Sequence, residues 1–150
     1  MSGRLRRALA DERGSTMPLI AGSAALALAL ILVVAAATSL AIERKRLATL
    51  ADGAALAAAE SFDADSLRVD AEGMPTVALD ADRVEAAARR HLELAARAGG
   101  VEAVLVESST PDGRSARVVL ATRWRPPVAP ALLPEGVELE VAATARSVLG

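Results

Sequence analysis

His91 is the only histidine in these 150 residues, and the chain has no cysteine. A lone imidazole needs an orienting carboxylate to act as a base, and further donors to hold a metal. Its helical spacing with Val84, Ala87, Ala88, Leu92, Ala95 and Ala98 reads instead as packing at the edge of a helix interface. Asp63/Asp65 and Asp80/Asp82 offer carboxylates, but without the dense oxygen-donor pattern of a calcium loop; capping and loop solvation explain them. Ser108-Ser109-Thr110 is a turn with no nucleophile-elbow pattern around it. Trp124 and Arg125, followed by Pro126-Pro127, set an aromatic ring and a cation on a stiff loop, which suits a contact surface; the plainer alternative is that Trp124 plugs the end of a small core. No catalytic, metal or cofactor site is expected, and the chain reads as non-enzymatic.

The elements around these residues start from a long uncharged run. Between Arg13 and Glu43, 29 residues (14–42) carry no charge. A hydrocarbon layer about 30 Å thick is crossed by roughly 20 apolar helical residues, so the run is long enough to span it. Arg4, Arg6, Arg7 and Arg13 precede the run, and Arg44, Lys45 and Arg46 follow it. The near balance of these charges leaves orientation to the short first tail, which favours a cytoplasmic N-terminus and an extracytoplasmic remainder. Residues 1–46 hold seven basic and three acidic groups, and 47–150 hold ten and sixteen. An acidic soluble part argues against nucleic acid as a partner, because phosphate neutralisation needs a basic face. Phe62 and Trp124 are the only aromatics, so the core must be built from Ala, Val and Leu.

Two kinds of processing suit such a run. The apolar stretch is about twice as long as a signal-peptide core, although small residues near Ala35–Ala41 would permit Sec-type cleavage. Arg13-Gly14-Ser15, a charged tail ending in glycine before a hydrophobic helix, has the layout cut by prepilin peptidases between Gly14 and Ser15. A plain helix start, with Ser15 or Thr16 as N-cap and Pro18 in the first turn, fits the same residues. Beyond the run, residues 43–60 lack proline and favour helix, with Leu47, Leu50, Ala51, Ala54 and Ala58 on one side. The spacing predicts one helix from about Pro18 to about Ser61, whose small-residue face admits close packing.

Asp11-Glu12-Arg13-Gly14-Ser15, the apolar run, and then Arg46 to Ala59 with its Ala51-Asp52-Gly53-Ala54-Ala55-Leu56-Ala57-Ala58-Ala59 block resemble the N-terminal region of TadE/TadG-like proteins. These are pilin-like membrane components of the tight-adherence (Flp) pilus and related secretion loci of bacteria. The resemblance covers about a third of the chain. It implies a single-pass protein of the bacterial cytoplasmic membrane, with membrane lipid, other pilin-like subunits, pilus assembly platform proteins and a prepilin peptidase as partners. Pilins that enter a filament carry a glutamate five residues after the cleavage glycine, where this chain has Leu19. The departure suits a minor pilin, an assembly subunit or an uncleaved anchor. A secreted or membrane-anchored binding module with a Sec-type signal, unrelated to pili, is the alternative.

The remaining residues predict the head. Short strands are expected at Leu67–Asp70 and Thr76–Leu79. A second helix opens at Asp82 with Glu85 placed as in a capping box, and closes at Gly99-Gly100. Val101–Glu107 and Ala116–Trp124 form a hairpin about Asp112-Gly113, and Val137 to Arg146 alternates as a half-buried strand. Four prolines in 125–134 exclude a central strand there. The fold class expected is α+β: a long N-terminal transmembrane helix continuing into a small pilin-like head, with a second helix on a three- to four-stranded antiparallel sheet. Its segments are a basic leader (1–14), the span (15–42), the helix continuation (43–61) and the head (62–150).

Overall fold

The computed structural model describes residues 16–63, 66–69, 73, 75–127 and 134–147. The first helix, α1, runs over Thr16–Ala59 without a break. Residues 16–35 are exposed on every side, a pattern that in water would be unfavourable all round and that suits a lipid solvent. The same helix changes character after Glu43. Leu47, Ala51, Ala54, Ala55, Ala58 and Ala59 have no exposed surface at all. α1 is thus long and apolar enough to cross a membrane over its first part and is a core element over its last.

Two compact units divide the chain, residues 1–39 and 40–150. The second unit includes the end of α1, so the expected continuation at 43–61 is part of the head's core. That core joins Leu47 and the alanines of α1 to Val84 and Ala88 of a second helix and to Ala116, Val118, Leu120 and Ala143 of a sheet.

The second helix, α2, spans Ala81–Arg97. It opens two residues earlier than the capping box read in the sequence, and its cap is Asp80 instead of Asp82. The Asp82 and Arg83 N–H groups donate to Asp80 Oδ1 at 3.0 and 3.1 Å, satisfying two of the donors left over at a helix start. Glu85 therefore lies inside the helix, where it accepts from Arg89 at 2.7 Å instead of closing a capping box. At the other end Gly99 takes φ +77°. Its N–H bonds the Ala96 carbonyl at 3.0 Å and that of Gly100 the Ala95 carbonyl at 2.9 Å. This is the two-bond glycine stop that satisfies the last carbonyls of a helix.

Two short strands, β1 (Leu67–Val69) and β2 (Pro75–Val77), pair with each other and, among the described residues, with no other strand. The main sheet has three antiparallel strands: β3 (Val104–Ser109), β4 (Ser115–Trp124) and β5 (Val137–Arg146), with β4 central. β4 and β5 pair along their full length, from Ser115↔Arg146 to Trp124↔Val137. β3 starts later than expected. The Glu102 carbonyl accepts from the Thr122 hydroxyl at 2.7 Å, and the ladder begins only at Val104↔Ala121, with a register shift between Leu105 and Glu107. In the β3–β4 turn Asp112 Oδ1 accepts from the N–H groups of Arg114 and Ser115 at 3.0 and 2.6 Å, and the Ser115 hydroxyl donates to Oδ2 at 3.0 Å. The architecture is α+β: a long apolar N-terminal helix, a second helix and a three-stranded antiparallel sheet.

Candidate functional site

Gly14 and Ser15 lie outside the described residues. The helix-packing face is described in full. Leu47, Ala51, Ala54 and Ala58 are wholly buried and Leu50 packs against them from a half-buried position. Alanine has no rotamer entropy to lose on burial, and its small volume lets α1 approach its neighbours closely. This stripe is filled by the chain's own α2 and sheet. It leaves no surface there for a helix of another subunit.

Trp124 and Arg125 part company. Trp124 is 8% exposed at the end of β4, whereas Arg125 is open to solvent. The ring is therefore a packing group, and the contact surface expected of the pair reduces to the arginine. Gly136 closes on this corner: a Cβ there would stand 2.7 Å from the Trp124 carbonyl oxygen.

Two of the carboxylates singled out in the sequence are used structurally. Asp80 caps α2, and Asp63 accepts from Arg83 Nη1 at 3.0 Å across an exposed pair. Asp65 lies outside the described residues. Among the described residues no three His, Asp or Glu side chains gather as a metal site. Asp112 is held below its ordinary carboxyl value by the N–H of Arg114 first and that of Ser115 second, both of which favour the charged form.

His91 has a definite neighbour. A Cβ built on Gly53 of α1 would lie 2.7 Å from His91 Nε2 and 3.1 Å from Cε1, so the imidazole fills the space that glycine leaves. The half-buried ring also lines an open groove of about 940 Å³ that sequence reading does not reveal. One wall is α1 from Ile42 to Leu50, with Lys45, Arg46 and Thr49. The other is the segment after α2, Gly99 to Glu102. Glu43 borders this groove and pairs with Arg46 at 3.8 Å. Glu43 and Glu102 also border an adjoining hollow of about 420 Å³ that reaches Thr122 and Arg123. The groove needs residues 42–50 beside residues 91–102, a proximity no local pattern encodes. Its nearest signal is the charge cluster Glu43-Arg44-Lys45-Arg46.

The groove is open, and its lining offers two cations, two carboxylates and an imidazole to a ligand. Compared with protein-family models, curated proteins and solved structures, the chain matches none.

Proposed function

We propose that this protein is a non-enzymatic, pilin-like subunit of a Tad/Flp-type pilus or related secretion system, acting as a minor pilin or assembly factor. In this reading the apolar part of α1 is seated in the bacterial cytoplasmic membrane. The N-terminus is cytoplasmic and the head lies on the far side, with prepilin peptidase as a processing partner at Gly14 and Ser15. The supporting observation is the double use of one unbroken helix: apolar and exposed over 16–35, then locked into the head's core from Leu47 to Ala59.

Since the alanine stripe is consumed inside the chain, lateral association with other pilin-like subunits or an assembly platform falls to the span and the outer surface of the head. Small residues such as Ala21, Gly22, Ala25 and Ala29 allow close helix approach in lipid. Leu19 replaces the glutamate of filament-forming pilins, which favours a minor or assembly role.

Mass spectrometry of the mature N-terminus, with membrane fractionation of the native product, tests the reading. A membrane-bound chain starting at Ser15 agrees with it in full; a membrane-bound chain with its leader intact keeps the anchor and removes prepilin peptidase from the reading. A soluble chain beginning beyond Ile42 sinks it, and a start near Ala37–Ala41 favours a Sec-exported binding module.

A further inference from the structure

The groove between α1 and the segment after α2 begins where the uncharged run ends. Ile42 is the last residue of that run and the first of the groove's lining. Charges from Glu43 onward are strongly disfavoured in hydrocarbon, so the membrane boundary falls no further along α1 than Ile42. With the boundary at Ile42, a rise of 1.5 Å per residue puts Lys45 and Arg46 roughly 4–6 Å beyond it. The polar layer of each leaflet is about 5–8 Å deep, so both cations reach headgroup depth.

The lining carries both signs of charge. Lys45 and Arg46 are exposed cations in the groove, and Glu43 and Glu102 stand where it meets the adjoining hollow. Ile42, Leu50 and Val101 give an apolar floor. A purely anionic headgroup would meet two carboxylates beside its phosphate. A choline headgroup has no N–H to donate and is best held by aromatic faces, and no Phe, Tyr or Trp lines this groove. A headgroup with both a phosphate and a primary ammonium satisfies the whole set. The groove's volume is at the upper end of the ~300–1,000 Å³ of small-molecule sites.

We propose that this groove binds the headgroup of a zwitterionic aminophospholipid of the phosphatidylethanolamine type. Lys45 and Arg46 receive its phosphate, Glu43 and Glu102 its ammonium, and Ile42, Leu50 and Val101 the glycerol end of its chains. The proposal rests on the membrane-anchored part of the function proposed above and is independent of any role in a pilus. The bound lipid would fix the head's height over the leaflet.

Native mass spectrometry of the full chain in mild detergent tests this, with phosphatidylethanolamine, phosphatidylglycerol and phosphatidylcholine of identical chains. Phosphatidylethanolamine is expected to be retained at least about fivefold over the others, a preference on the scale of one interfacial charge contact. Glu43→Gln with Glu102→Gln should erase the preference over phosphatidylglycerol, and Lys45→Gln with Arg46→Gln should lower retention of both. Thr49→Trp fills the groove without touching a charge and should lower retention alike; circular dichroism reports whether each variant keeps its fold. Equal retention of the three lipids, or a preference unchanged in folded variants, overturns the proposal. So does saturable binding of soluble phosphoethanolamine that displaces the lipid, which would identify a soluble ligand; inorganic phosphate distinguishes a bare anion site in the same way. Failure of the anchored reading shows separately, as a chain that washes off vesicles at alkaline pH.

Discussion

At Gly53 and His91 the head's two helices meet through an absent side chain and a planar ring. Glycine inside a helix is less favourable than alanine by roughly 1 kcal/mol. Gly53→Ala alone must push the imidazole aside, because the new Cβ would stand 2.7 Å from Nε2. With His91→Ala already present that obstacle is gone. Gly53→Ala is therefore expected to stabilise the His91→Ala background by about 1 kcal/mol and to give little or nothing in the parent. Chemical unfolding of the four proteins in one detergent measures the coupling. Asp112 offers a second residue-scale test. Its folded pKa lies below the ordinary value because Arg114 and Ser115 N–H groups stabilise the carboxylate. That stabilisation is complete above the unfolded pKa, near 3.9, and is lost as pH falls through the lower folded value. Asp112→Asn should unfold at lower temperature than the parent at neutral pH, and the gap should close on acidification below about pH 4. A gap that stays constant down to pH 2 would mean that the hairpin owes nothing to this charge.

At the scale of elements, α2 separates what a helix start looks like from what it does. Asp80 and Asp82 are both good caps, and Glu85 stands three residues after Asp82, as a capping box requires. Only backbone geometry decides, and it gives the cap to Asp80. Asp80→Ala is expected to destabilise by about 1 kcal/mol, and Glu85→Ala, which breaks an exposed i,i+4 pair, by only about 0.3–0.5 kcal/mol. Equal losses in chemical unfolding would contradict the assignment. The alanine stripe of α1 makes a stronger demand. Leu47→Ala should cost about 2–5 kcal/mol by opening a cavity at a site with no exposure, and Ala54→Leu about 1–3 kcal/mol by overpacking. Elements with a long or strictly periodic signal were legible in the sequence. The charge-free run, the alternation of Val137–Arg146 and the Asp112-Gly113 turn each announce one conformation. The choice between core plug and contact surface for Trp124, both of which its sequence allows, the separation of β1–β2 from the main sheet and the groove beside Lys45 depend on which distant segments meet, and local patterns carry no record of that.

For the molecule as a whole, α1 has two halves of different character, and the switch falls within a few residues of Glu43. All of residues 16–35 are exposed, whereas every α1 residue in the hydrophobic core cluster follows Lys45. The head's cohesion therefore owes nothing to the first half of the helix. A chain beginning at Glu43 keeps Leu47, the buried alanines, α2 and all three main strands. It should be soluble without detergent and unfold in a single transition, since one core joins its helices to its sheet. Its unfolding free energy should match that of the head within the full chain to within the ±0.5 kcal/mol typical of changes away from the core. The full chain, in contrast, should remain with vesicles through an alkaline wash, because some 20 apolar residues in lipid far outweigh any surface attachment. The comparison separates anchoring from folding. A marked loss of head stability on removing residues 1–42 would mean that the apolar run packs against the head, and that its exposure on every side is not the state in which the protein works.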